Sequence, residues 1–224
     1  MQRISPLSRK RSRYSRVLTI LIVLFYVLGL IFPSILWNHF QVTMPSGNKG
    51  APLLLAPRQA SWLTPAPPIA IIGDDGWAAC DWVNGSGTWD KPYVLRNLTI
   101  DASGSGSCIT IENTTRYFQI INCTLTRAGT GFRDAGIYLN HTGNGTLLNN
   151  TCYNNSCGIH LDNACNNNTL VDSTCTGNGY AGIFLYSSNN NTLTNNNCTG
   201  STGNGIAIVE TSCNNTLVLA GISP

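Results

Sequence analysis

The chain has 224 residues, 42% of them hydrophobic and only 10% charged, with nine cysteines and a formal net charge of +3. That positive sign is set by the N-terminal end. From Ile69 onward the basic residues are Lys91, Arg96, Arg116, Arg127 and Arg133, against all ten acidic residues of the chain. The body is therefore mildly acidic, and nucleic acid is excluded as a partner for want of a basic patch.

Residues 1–16 form a basic head, where Arg3, Arg9, Lys10, Arg11, Arg13 and Arg16 stand without an acidic residue. An almost unbroken apolar run covers residues 17–32. Taken through Trp37 the segment has 21 residues, enough for a helix to span a bilayer. A basic head before such a run is a signal anchor or a cleaved secretory signal. No small-x-small cleavage site follows closely, which favours the anchor. The basic cluster would stay in the cytoplasm and Trp37 would sit at the far interface. Residues 17–37 thus predict a transmembrane anchor with the body on the extracellular, cell-surface side, or a secreted protein where the signal is cleaved. Residues 38–68, rich in Pro, Gly, Ser and Ala, read as a semi-extended linker.

Residues 69–111 read as lead-in strands and an N-terminal cap. Short apolar alternations at 69–72, 93–95, 98–100 and 108–111 are separated by a turn at 73–77 and a Gly-rich loop at 84–92. A solenoid's first rung needs its apolar end covered, and Trp77, Trp82 and Trp89 are placed to cover it. Residues 117–121, with Asn122-Cys123, make the next coil. The turn after it is enlarged by Thr130-Gly-Phe-Arg-Asp134.

Residues 112–224 carry an internal repeat. Gly136-Ile-Tyr-Leu139, Gly158-Ile-His-Leu161, Gly182-Ile-Phe-Leu185 and Gly205-Ile-Ala-Ile208 start 22, 24 and 23 residues apart. Between them recur Thr146-Leu147, Asn168-Thr169-Leu170, Asn191-Thr192-Leu193 and Asn215-Thr216-Leu217. Cys152, Cys175 and Cys198 keep the same period. Alternation over three to five residues is the strand period, and the three- and four-residue spacing of a helix is missing. Turn residues break each run early. Such units stack with their strands parallel, about 4.8 Å apart, which predicts an all-β parallel β-helix of about five to six coils. Ile137, Ile159, Ile183 and Ile206 would form one inward ladder, and Leu139, Leu161, Leu185 and Ile208 the next. Asn tolerates left-handed corners, and stacked Asn amides would bond from rung to rung. A disordered Asn-rich tract would not keep apolar residues in register. The last coil, after Gly205, shows no cap: its open edge would pair with a second subunit, or the product is truncated there, or the coil is frayed.

The Asn-Thr-Leu-x-x-x-x-Cys…Gly-Ile-x-Leu pattern, with its lead-in Gly85-Ser-Gly-Thr-Trp-Asp-Lys-Pro-Tyr-Val-Leu-Arg-Asn-Leu-Thr-Ile-Asp-Ala-Ser-Gly104, resembles the repeats of NosD-like exported prokaryotic proteins. The resemblance covers residues 69–219. It implies a right-handed parallel β-helix at the cell surface. The family name carries a copper association, and related β-helix domains occur in carbohydrate-binding and sugar-cleaving proteins. No metal motif of the family falls on this chain.

Outward residues of the Gly-Ile-x-Leu strand would align as Tyr138, His160, Phe184 and Ala207, beside Glu112, Asn140, Asp162, Tyr186 and Val209. Rings stacking on pyranose faces, with amides and carboxylates taking hydroxyls, would suit a polysaccharide; Tyr138, His160, Asp162, Phe184 and Tyr186 are the candidate ligand-binding residues. The bland reading is a partly solvated sheet face with ordinary cross-rung stacking. A non-enzymatic structural or adhesion role is expected. The competing class is a polysaccharide lyase or glycoside hydrolase working through Glu112, Asp134 and Asp162, since sugar hydrolysis needs two carboxylates roughly 5 to 9.5 Å apart. No cofactor or metal is expected: copper sites gather His, Met or Cys, whereas His160 stands alone as a surface histidine, His141 lies in a turn and the body has no Met.

Nine cysteines in an exported chain suggest disulfides, and the odd number leaves at least one outside any intrachain pair. The ladder Cys152, Cys175, Cys198 is also explained as small apolar filling. Cys157 with Cys165, and Cys80 with Cys108, are open to pairing. Twelve Asn-x-Ser/Thr sequons occur. Those in ladders would be buried in stacks, which leaves the loop positions Asn84 and Asn144 as the expected glycosylation sites.

Overall fold

The structure is a computed structural model and describes residues 65–218. The basic head, the run at 17–37 and most of the linker lie outside those residues. Among the described residues no helix is long and apolar enough to cross a membrane.

Each repeat gives one strand to each of three parallel sheets. The long sheet stacks Ile69–Ile72, Ile109–Glu112, Ala135–Asn140, Cys157–Asp162, Ala181–Tyr186 and Asn204–Val209. The second sheet stacks Tyr93–Arg96, Phe118–Ile121, Gly145–Leu148, Thr169–Val171, Thr192–Thr194 and Thr216–Val218. The third, of five short strands, runs from Thr99–Asp101 through Thr124–Thr126, Thr151–Tyr153 and Thr174–Thr176 to Asn197–Thr199. The chain is thus an all-β parallel solenoid of about five coils, as the repeat predicts. Like falls on like: Ile159 pairs with Ile137 and Ile183, and Leu161 with Leu139 and Leu185. These ladders are fully buried, and Ile120, Leu147, Leu170 and Leu193 complete the core from the second sheet. Burial fades at the last rung, where Ile208 is 38% exposed and Leu217 and Val218 are exposed too.

Cys152, Cys175 and Cys198 stack in the third sheet, and all nine cysteines are free thiols. The repeated Gly explains why that inward residue is small. A Cβ at Gly158 would stand 2.4 Å from the Gly182 carbonyl oxygen and 2.8 Å from Cys175 Cβ, and Gly136 and Gly182 are similarly hemmed in by Cys152 and Cys198. Gly and Cys together let one corner of the coil close.

Asparagine has two separate jobs. In Asn-Asn-Thr the first residue turns the corner in the left-handed region, as at Asn149, Asn167, Asn190 and Asn214. The second is an inward bridge. Asn168 accepts from the Gly145 amide of the previous rung at 2.9 Å and donates to the Thr142 carbonyl at 3.0 Å. Asn191 repeats this with Asn168 N and Cys165 O, and Asn215 with Asn191 N and Ser188 O. The buried ladder thus ties amides to backbone. Amide-to-amide bonding joins Asn191 to Asn215 in that ladder at 3.1 Å, and it also runs down an exposed corner, from Asn149 to Asn122 at 2.9 Å and from Asn122 to Asn97 at 3.4 Å.

The cap is only partly as expected. Trp77, in a short 3₁₀ turn at Asp74–Ala79, is buried, stacks on Tyr93 with centroids 4.7 Å apart, and donates from Nε1 to Thr114 Oγ1 at 3.0 Å. Asp74 braces the turn by accepting from Thr115 N at 2.9 Å and Thr114 Oγ1 at 2.8 Å. Those bonds, the backbone one first, hold its carboxyl below the usual range. Trp82 packs against the core, whereas Trp89 is 79% exposed and caps nothing: it sits on the Gly-rich loop, away from the rung end.

The Gly–Cys corner gives a direct test. Gly158→Ala forces a methyl into backbone, while the nearest atom to a Cβ at Gly179 is 3.7 Å away. Denaturant unfolding should show Gly158→Ala less stable by about 1–3 kcal/mol, with Gly179→Ala close to the parent.

Candidate functional site

The register aligns the outward ranks as the repeat predicts. Tyr138, His160, Phe184 and Ala207 pair in sequence along one rank, and Glu112, Asn140, Asp162, Tyr186 and Val209 along the next. Their exposure does not follow. Strands of a half-buried sheet alternate buried and exposed residues, but Ala135–Leu139, Cys157–Asp162 and Ala181–Leu185 are buried at every position. Tyr138 is 4%, His160 0%, Asp162 2% and Phe184 2% exposed, and only Tyr186 is half-buried. The open aromatic face, and His160 as a surface histidine, are therefore corrected.

The enlarged turn is the cover. Phe132 sets its ring edge-on against His160 (5.2 Å), Phe184 (5.4 Å) and Tyr180 (5.6 Å). Arg133 Nε lies 3.0 Å from Asp162 Oδ2, and the Tyr138 hydroxyl donates to the same oxygen at 2.9 Å. Asp162 is thus a buried carboxylate held by a hydroxyl and by a guanidinium that is 62% exposed. A second small apolar cluster results outside the solenoid core: Ala135, Tyr138, Cys157, Ala181, Phe184 and Ala207. The sequence signal for it was Phe132-Arg133, a bulky ring and a cation in the one oversized turn.

His160 sits inside this cluster with no normal hydrogen bond on either ring nitrogen. Burial lowers its pKa from 6.5 to about 4, outweighing Asp162 and the Phe132 carbonyl, which favour the charged form. Burial first, and then the bond to Asp162, push the Tyr138 phenol well above its ordinary range. The cluster is neutral at its centre, with one ion pair on its rim.

The three carboxylates proposed for catalysis do not gather. Asp162 is occupied by Arg133 and Tyr138. Asp134 turns into its own loop and accepts from Gly131 N at 2.8 Å. It adjoins the first residue of a strand whose last residue, Asn140, shares a rank with Asp162 and Glu112, so strand length separates it from both. Glu112 is half-buried, two rungs from Asp162. Among the described residues no group of three or more His, Cys, Asp or Glu is placed to hold a metal. Burial raises Cys108, Cys123 and Cys157 to about 11 and Cys165 to about 12, so at neutral pH these thiols are neither nucleophiles nor ready ligands.

What remains open lies beside the cover. A groove of about 500 Å³ is lined by Thr130, Phe132, Asn154, Ser156 and Tyr180. Phe132 is 48% and Tyr180 46% exposed. Asn154 is an exposed left-handed corner residue, and among the described residues neither its amide nor the Ser156 hydroxyl makes a side-chain hydrogen bond. A smaller groove of about 220 Å³ lies on the second sheet, between Trp89, Tyr117, Gln119, Thr146 and Asn167.

The model of a family described as the right-handed β-helix region matches residues 76–220. The chain belongs to the right-handed β-helix family. No curated protein and no solved structure matches this β-helix.

His160 makes the β-helix acid-sensitive in a defined window. Its folded pKa lies below the ordinary 6.5, so the stabilisation is full above that value. It is lost as pH falls from about 6.5 toward 4, because the unfolded ring takes up a proton that the buried ring refuses. The loss approaches about 3 kcal/mol. Denaturant titrations at pH 7.5 and 4.5 should show it, and His160→Leu should shrink that difference.

Proposed function

We propose that this β-helix is an exported, membrane-anchored surface module with a structural and adhesive role, and that it binds a carbohydrate chain in the groove lined by Phe132 and Tyr180. The observation that carries the ligand is the pairing, in one groove, of two half-exposed rings with an amide and a hydroxyl left without side-chain partners. Sugars offer apolar C–H faces and a rim of hydroxyls, which suit such a mixture of aromatic and polar groups. Export and anchoring are supported by the basic head and the 21-residue apolar segment ending at Trp37, and the NosD-like repeat pattern agrees with an extracellular place. A sugar-cleaving role has less support, because Glu112, Asp134 and Asp162 are spread over different sites and Asp162 is already paired.

Compared with the exposed sheet face suggested by the sequence, the ligand moves from the strand rank to the turns. His160 and Phe184 pack against Phe132 and, like Tyr138, are not among the residues that line the groove. Tyr186, half-buried at the other end of the strand, lies outside its lining.

A glycan array probed with the full-length chain tests this, with mass spectrometry of each ligand afterwards. Phe132→Ala and Tyr180→Ala should each weaken binding about tenfold, a loss of about 1.4 kcal/mol, and Tyr186→Ala should not. Unchanged binding in the first two, with loss in Trp89→Ala, would move the site to the smaller groove. Cleaved products would overturn the non-enzymatic reading. No binding to any glycan would leave only the structural role.

A further inference from the structure

The twelve sequons are not scattered. Nine of their asparagines, Asn97, Asn113, Asn122, Asn144, Asn149, Asn154, Asn167, Asn190 and Asn214, occupy left-handed corners. The motif follows from the coil itself: a corner Asn, an inward-facing residue, then the Thr or Ser that follows it, most often the first residue of a strand. Four of the corners align in one column. Thr146, Thr169, Thr192 and Thr216 are register partners, so Asn144, Asn167, Asn190 and Asn214, two residues before each, stack on successive rungs. Asn167, Asn190 and Asn214 are exposed, and among the described residues none of their side chains makes a hydrogen bond. The ladder bonds belong to the second asparagines, Asn168, Asn191 and Asn215.

That division reverses the expectation that laddered sequons are buried. It also separates these three from Asn84, Asn122, Asn144 and Asn149. Asn144 is half-buried and donates to the Thr115 carbonyl at 3.3 Å. Asn122 and Asn149 donate within their own corner stack. Asn84 is exposed but lies in an antiparallel bridge with Val94.

We infer that Asn167, Asn190 and Asn214 form an N-glycosylated edge of the β-helix. The inference rests on the export reading, because sequons are modified on exported chains. The step is a glycosyl transfer. Nδ2 of the acceptor bonds to C1 of an oligosaccharide carried as a polyprenyl phosphate ester. The C1–oxygen bond breaks, the phosphate leaves with its electron pair, and one amide proton passes to solvent. A sugar chain at these corners breaks no hydrogen bond of the coil. The column follows the ends of the long strands, whereas the Phe132–Tyr180 groove adjoins their beginnings, so glycans here leave the groove open.

The test uses the full-length chain isolated from the cells that make it, with glycopeptide mass spectrometry and protease shaving of intact cells. Peptides spanning Asn167, Asn190 and Asn214 should carry sugar. Thr169→Val, Thr192→Val and Thr216→Val keep a β-branched strand residue and the corner Asn but remove the sequon hydroxyl. Each should lose the sugar of its own rung with the melting temperature unchanged, and the matching Thr→Ser variants should keep it. A surface-accessible chain bearing no sugar at the three positions would overturn this inference alone. A chain that shaving cannot reach and that carries no sugar would overturn it together with the export reading. Sugar surviving in the Val variants would overturn the sequon chemistry.

Discussion

Parallel stacking in strict register is the constraint on which this molecule depends. Each rung sits about 4.8 Å from the next, so whatever a position holds is placed beside its own kind. That works for Ile159 between Ile137 and Ile183, which fill a core ladder. It works for Asn191 between Asn168 and Asn215, whose amides satisfy buried backbone groups one rung away. It is demanding at the Gly–Cys corner, where Gly158 has no room for a methyl against Gly182 and Cys175. A buried polar group that loses its partner is costly, so the inward asparagines stabilise the stack only because register brings every partner to hand.

A perfectly regular solenoid would leave the outward aromatic rank as an open sheet face. The departure from regularity is one oversized turn. Phe132 and Arg133 fold back over the long sheet, the ring against His160 and Phe184 and the guanidinium against Asp162. The outward rank becomes a second small core, and the new surface consists of the turn itself with the Asn154–Ser156 and Tyr180 turns beside it. Local insertions on a repeat scaffold commonly carry function for this reason. Here the insertion hides one set of aromatic groups while presenting another.

The fold was legible because its signals are periodic. The Gly-Ile-x-Leu, Thr-Leu and Cys spacings give coil length and strand pairing, and the residue ranks follow from those. The site was not legible in the same way. Alternation says which residues point outward, but only the path of residues 127–134 says whether outward means exposed. Tyr138, His160 and Phe184 were therefore read with the correct rank and the wrong environment. Asparagine was misread more subtly. Its abundance marked the ladder, but separating corner Asn167 from inward Asn168 requires the backbone angle at the first and the hydrogen bonds of the second.

The central claim is that the enlarged turn seals the aromatic rank, and the two described histidines measure it. His141 is exposed beside Asn140, whereas His160 is fully buried beneath Phe132. Diethyl pyrocarbonate acylates accessible imidazoles, and peptide mass spectrometry reads each site. On the folded chain at neutral pH, His141 should react at the rate of an open histidine and His160 only after unfolding. Equal labelling of the two would mean that the rank is open to solvent, and the proposed binding surface would return to the sheet face.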